Sequence, residues 1–318
     1  DFTFRDEYSG DYLNFGITDY GEIMPLQFDG NEFLAVGAWV CGYTVGYVDI
    51  NGATWVYWAG YDNWYGIYPQ SYTELVNNEN EVVVEVITMT EDGALLITRT
   101  FLFERTEKFV QIHTSIESLS ELANQGVIFK SFADWDIDND YEDDNFDYDL
   151  ERNMVYAWDN NYGGITAEAV PAFMDLDGWG DFGMYETFVD YPEGPIEFFD
   201  GFGISHFEVG DLEEGDMWEI TTAFVTGENL EALQETADDA LNYVSTDWLS
   251  VEPNNLVVPS GVTSEVFVTF NAEGLYGGEY NANILLENND PDESLVIIAA
   301  FMTVTGAPNL AVDPSNLD

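Results

Sequence analysis

Basic side chains are almost missing from this 318-residue chain: six Lys and Arg stand against 62 Asp and Glu, for a formal charge of -56. The last of them is Arg152, so more than half of the chain carries none. That imbalance argues against nucleic acid and anionic membrane surfaces as partners, since both are polyanions. It points to cations, to basic proteins or to concentrated salt. Cysteine is represented once, by Cys41, so no intramolecular disulfide forms. Its place in the apolar run AVGAWVCGYTVGYV reads as a buried small hydrophobe. No run reaches the ~18 apolar residues of a membrane span. The start at Asp1 reads as the processed or trimmed end of a longer precursor.

Catalytic signatures are missing too. There is no GxSxG, no HExxH, no P-loop and no Rossmann glycine pattern. The two histidines, His113 and His206, lie far apart in strand-like segments and read as structural residues. Two carboxylates can run glycoside hydrolysis, but with 62 acids a pairing says nothing. The expectation is a protein that is not an enzyme.

What is present is a core. Hydrophobic content of 46% and aromatic content of 16% exclude a disordered acidic tail. Apolar and polar residues alternate at period two through most of the chain. Strands are predicted over Glu32–Tyr47, Ala53–Tyr57, Glu81–Met89, Ala94–Glu104, Phe109–Ser118, Gln125–Ile137, Met154–Trp158, Ile165–Ala172, Gly203–Phe207 and Met217–Thr226. Asp49–Gly52 and Glu91–Gly93 read as hairpin turns. One helix is predicted over Gly227–Val244, where Leu230, Leu233, Ala237, Leu241 and Val244 recur at three- and four-residue spacings. The fold class is therefore all-β: a large β-sandwich or supersandwich with one short helix (residues 1–245), then a small immunoglobulin-like β-sandwich (246–306). Residues 307–318 read as the start of a further repeat, because LSVEPNNL at 249–256 recurs as LAVDPSNL at 310–317.

Acidity is locally extreme in DWDIDNDYEDDNFDYDLE, residues 134–151. A compact monomer of this mass exposes about 13,000 Å². Over that area carboxylates sit about 15 Å apart, beyond the Debye length of about 8–10 Å, so average repulsion is screened. As a strand, Asp134, Asp136, Asp138 and Asp140 would form one outward row about 7 Å apart, with Trp135 and Ile137 inward. Such a row calls for Ca²⁺ or another hard cation, or else it is a charged edge that blocks aggregation. A second candidate is DLDGWGDFGMYE, in which Asp175, Asp177, Asp181 and Glu186 fall at positions 1, 3, 7 and 12 of a calcium loop with Gly180 at position 6. Trp179 at position 5 argues against an EF-hand and leaves a calcium-binding turn or a plain acidic loop. Trp55, Trp58, Trp64 and Tyr65, within WVYWAGYDNWYGIY, form a candidate glycan-stacking platform, with core packing or a subunit interface as the alternative.

Two resemblances add to this. WLSVEP (248–253), FNAEGLYGGEY (270–280) and NNDP (288–291) resemble the extracellular immunoglobulin-like repeats of the ASPM/SPD-2/Hydin and major-sperm-protein-like type. That resemblance implies a spacer or adhesion module. FADWDI (132–137) and GENLEAL (227–233) resemble β-supersandwich regions of large secreted prokaryotic surface proteins. The functional expectation is a structural subunit of an extracellular or cell-surface filament, sheath or surface layer. Its acidic faces would be neutralised by calcium, and it would self-associate by strand addition through 307–318. The alternative is a carbohydrate-binding or adhesive module of a larger secreted protein.

Overall fold

The computed structural model describes residues 6–34, 41–60, 65–120, 124–139, 144–176, 183–185, 195–196, 202–242, 249–253, 258, 263–272, 278–287 and 295–304. The chain divides into two compact units, Asp1–Tyr243 and Val244–Asp318. The class is all-β, with strands throughout and one short helix among the described residues.

An eight-stranded antiparallel sheet is the backbone of the first unit. Its strands run in the order Asn145–Asp149, Met154–Trp158, Tyr162–Ala167, Met217–Gly227, Phe109–Ser118, Leu95–Glu104, Glu81–Thr90 and Ile67–Asn77. Period-two alternation explains its two faces. In Glu81–Thr90 every second residue is buried, because successive side chains point to opposite sides of a strand.

One face packs against two smaller sheets. Val82, Val84, Val86, Phe101 and Phe103 meet Leu13, Phe15, Leu26 and Phe28 of a four-stranded sheet (Asp6–Ser9, Leu13–Ile17, Ile23–Phe28, Asn31–Glu32). Leu95, Ile97, Ile116 and Ile220 meet Tyr43, Val45, Tyr57 and Phe129 of a five-stranded sheet. That sheet orders Phe173–Asp175, Phe202–Leu212, Asn124–Asp134, Gly42–Val48 and Thr54–Gly60. The buried Arg99 and Thr114, paired across neighbouring strands, interrupt the apolar lining of the large sheet.

The opposite face of the large sheet carries the helix, Leu230–Asn242. Leu233, Ala237 and Ala240 cover Phe109, Met154, Tyr156, Ala223 and Val225. The helix starts later than its sequence pattern suggests because Gly227 still belongs to a strand, paired with Tyr162. Asn229 caps it, its Oδ1 accepting the Ala232 N–H at 3.0 Å. Arg152 ties the helix to the hairpin beneath it. Its Nε donates to Asp238 at 2.9 Å and its Nη1 to Asp149 at 3.0 Å, while Gln234 Nε2 also donates to Asp149 at 2.7 Å. Arg152→Ala is expected to cost about 1 kcal/mol, the upper range for a surface ion pair, because one guanidinium serves two carboxylates. Thermal unfolding at low and high salt checks this, and the loss should shrink in high salt.

The outward acidic row is corrected by the structure. The strand stops at Asp134, and a 3₁₀ turn follows at Ile137–Asn139 with Asp138 in the left-handed region (φ 64°). Asp134 and Asp136 are buried together with Trp135 and Ile137, so the alternation ends there. Local hydrogen bonds compete with the ladder. Asp138 accepts the backbone N–H groups of Asn160 and Asn161, and Asp144 accepts that of Ile137. Asp140 lies outside the described residues.

The second unit contains two antiparallel pairs, Leu249–Glu252 with Phe267–Phe270 and Gly278–Glu287 with Leu295–Val304. The segment 307–318 lies outside the described residues.

Candidate functional site

The two predicted hairpin turns meet at one end of the large unit. The turn after Gly42–Val48 is built by Asp49. Its Oδ1 accepts the N–H groups of Asn51 and Ala53, both at 2.8 Å, and its backbone carbonyl accepts that of Gly52 at 2.9 Å. Gly52 takes φ 79°, which suits a residue without Cβ. The turn after Glu81–Thr90 is built by Asp92, whose Oδ1 accepts from Thr90 Oγ1 at 2.7 Å and from the Ala94 N–H at 3.1 Å. The first hairpin belongs to the five-stranded sheet and the second to the eight-stranded sheet. Tyr47 joins them by donating its hydroxyl to Asp92 Oδ2.

Between them lies an open cleft of about 320 Å³, lined by Tyr47, Asp49, Trp55, Asp92 and Leu119 among others. It falls at the lower end of the ~300–1,000 Å³ typical of small-molecule sites. Trp55 is 44% exposed, and its indole N–H donates to Asp49 Oδ2 at 3.1 Å. The ring is thereby held in place with much of its surface open to solvent. Ile50 and Leu119 add exposed apolar surface.

Both carboxylates are held below their ordinary pKa. Hydrogen bonds from Ala53 and Trp55 hold Asp49 below the usual range. Burial opposes ionisation of Asp92, but bonds from Tyr47, Thr90, Ala94 and Tyr57 outweigh it and lower its pKa. Burial and the bond to Asp92 push the Tyr47 phenol up. At neutral pH the cleft therefore holds two carboxylates and a neutral phenol, and neither acid retains a proton for general acid catalysis.

Trp55, Trp58, Trp64 and Tyr65 do not form one platform. Trp58 and Tyr65 stack on each other, with ring centroids 4.9 Å apart, and their backbones bridge. Trp58 also packs against Phe132 and Ile204. Only Trp55 lines the cleft, and Trp64 lies outside the described residues. Trp58 belongs to the other face of the five-stranded sheet, where a register row places Phe173, His206, Lys130, Thr44 and Trp58 side by side. Lys130 is fully buried and donates to the Met184 carbonyl at 2.8 Å. Burial, then the nearby Lys130 charge, pulls the buried His206 down to about 4, so it is neutral at pH 7. His113 stands on the large sheet, 3.4 Å from Glu219.

Of the second acidic candidate, Asp175 is buried at the edge of the five-stranded sheet, while Asp177, Asp181 and Glu186 lie outside the described residues. Among the described residues no three His, Cys, Asp or Glu side chains gather to hold a metal ion. Sequence reading identified the two turns and Trp55 but not the site. The pairing of Tyr47 with Asp92 spans two sheets and leaves no periodic or spacing signal.

No protein-family model matches the chain, and no curated protein matches it by sequence. Solved structures do match by fold. A bacterial glucoamylase complexed with acarbose superposes with a TM-score of 0.56 over 76% of this chain, at 11% identity. The chain spans about a third (35%) of that glucoamylase's length. A putative aldose 1-epimerase from Escherichia coli K12 is 11% identical over 69% of this chain and 97% of its own, with a TM-score of 0.42. A galactose mutarotase related enzyme from Lactobacillus acidophilus is 11% identical over 70% of this chain and 97% of its own, with a TM-score of 0.41.

Such identities show a shared fold alone, and of these three matches the glucoamylase has a TM-score above 0.5. The fold shared with the glucoamylase overturns the expectation of a structural subunit of a filament, sheath or surface layer, which rested on charge and on the repeat. It also occurs in an enzyme, so the expectation of a non-enzyme cannot rest on architecture.

Proposed function

We propose that the large unit is a carbohydrate-binding β-sandwich of a larger secreted carbohydrate-processing protein, and that it contributes binding rather than chemistry. The observation that carries this is the cleft, where an exposed indole is fixed at its edge by Asp49 and flanked by a second carboxylate. Sugars stack their C–H faces on such rings and place hydroxyls on flanking acceptors. The fold likeness to an acarbose-complexed glucoamylase over most of this chain but about a third of that one supports a module within a larger protein. The lowered pKa values of Asp49 and Asp92 support binding over acid catalysis. The smaller unit, with its resemblance to immunoglobulin-like repeats, is proposed as a spacer. Calcium enters no step of this reading.

A glycan array followed by calorimetry tests it. Trp55→Ala is expected to weaken saccharide binding about thirtyfold, the effect of removing an aromatic anchor worth about 2 kcal/mol. Stability should fall by about 1 kcal/mol or less, since the ring is 44% exposed and its one side-chain bond is at the surface. An array with no hits, or hits indifferent to Trp55→Ala, would refute the reading.

A further inference from the structure

We infer that the Trp55 cleft selects a saccharide carrying a free amine and rejects acidic saccharides, an inference that rests on the carbohydrate reading above. The hydrogen bond from Trp55 Nε1 to Asp49 Oδ2, 3.1 Å long, sets a carboxylate at the edge of the stacking ring. A sugar lying on the indole therefore presents its ring substituents to that carboxylate. Asp92 stands on the opposite hairpin, across the same cleft. Its two oxygens already accept Thr90, Ala94 and Tyr47, so it acts on a ligand through its field more than through a new bond.

Among the described residues no basic side chain lines the cleft. The other described basic residues are committed elsewhere. Arg99 and Lys130 are buried, Arg105 donates to Asn77 and Asn78, Lys108 pairs with Glu228, and Arg152 pairs with Asp149 and Asp238. An ammonium hydrogen-bonded to Asp49 would sit about 2.7–2.9 Å from its oxygen, well inside a Debye length of about 8–10 Å, so salt does not erase the attraction. An ammonium at the ring edge gains a charge-assisted hydrogen bond to Asp49 and the field of Asp92. A uronate or sulfate meets repulsion from both sides, and no cation among the described lining residues offsets it.

The formal charge of -56 attracts any polycation non-specifically, so the test uses short ligands and the Trp55 variant. Calorimetry on the full chain at moderate salt compares the glucosamine trimer with its N-acetylated counterpart, maltotriose and trigalacturonate. The glucosamine trimer is expected to bind about tenfold or more tightly than the acetylated trimer, which shares its sugar backbone but carries neutral acetamides in place of the amines. Trp55→Ala should abolish that preference, and trigalacturonate should not bind. Equal or tighter binding of the acetylated trimer or maltotriose, lost with Trp55→Ala, would overturn the amine selectivity and leave the carbohydrate reading standing. So would measurable binding of trigalacturonate. Amine binding unchanged by Trp55→Ala would overturn the selectivity as well, assigning the attraction to the general charge. Failure of all four ligands to bind would remove both readings.

Discussion

Trp135→Ala is expected to destabilise the large unit by about 3–5 kcal/mol, the range for truncating a buried Trp or Phe. The side chain is fully buried, within the largest apolar cluster. Phe224 of the eight-stranded sheet lies 5.9 Å away between ring centroids, and the Trp135 backbone bridges Leu34. Gly163 shows how closely the ring is enclosed. A Cβ there would meet the Trp135 ring at 2.7 Å and Phe33 at 2.9 Å. The cavity left by Ala is therefore bounded by strand backbone on one side and cannot collapse without bending it. Gly163→Ala in the native background should cost about 1–3 kcal/mol through overpacking. It should cost clearly less in the Trp135→Ala background, where the ring it strikes is gone. Urea unfolding of the four proteins in this cycle measures both effects. Additive costs, or a Trp135→Ala loss below about 1 kcal/mol, would contradict the packing described.

Glu22→Gln is expected to act in the other direction, stabilising the protein near neutral pH. Glu22 is buried beside Arg99, Tyr43 and Cys41. Thr18 Oγ1 donates to its Oε2 at 2.9 Å, while Oε1 has no hydrogen-bond partner among the described residues. Burial pushes its pKa up from 4.5 to about 8, and the Thr18 bond and the Arg99 charge only partly offset that. Arg99 donates to the Gly21 carbonyl and is itself pulled down to about 10 by burial.

The sign follows from proton counts. Between pH 4.5 and 8 the unfolded chain has released the Glu22 proton and the folded chain retains it, so this group makes stability fall as pH rises. The cost is near zero below pH 4.5 and reaches about 3 kcal/mol at pH 7. Glutamine keeps the acceptor for Thr18 and never ionises. The variant should match the wild type at pH 4.5 and exceed it by about 3 kcal/mol at pH 7, roughly 5–10 °C in Tm for a unit of this size. The difference between the two proteins isolates this group, because the other carboxylates titrate in both. Parallel stability curves across that pH window would refute the assignment.

How much of this was legible in the sequence varies by residue. Strands such as Glu81–Thr90, Leu95–Glu104 and Phe109–Ser118 were readable because their alternation reports a half-buried face, which is a property of the strand itself. The Asp49–Gly52 and Glu91–Gly93 turns were readable because local hydrogen bonding and a permissive glycine need no distant partner. The helix register and the burial of Cys41 followed from the same local reasoning.

Asp134 and Asp136 were misread because charge predicts exposure only when nothing covers the residue, and the chain folds over them. Trp55 and Trp58 stand three residues apart in one aromatic run, yet they face opposite sides of a sheet. Nothing in the run says which side remains open.

The sequence by itself determined the all-β class, the period of the strands and the turn chemistry. Each of these depends on residues a few positions apart. Tertiary structure alone decided which carboxylates are buried and which aromatic ring meets solvent. It also decided that two turns more than forty residues apart close one cleft, through the hydroxyl of Tyr47 on Asp92. That contact joins strands of different sheets, and sheet-to-sheet placement is set by the packing of whole faces rather than by any local pattern.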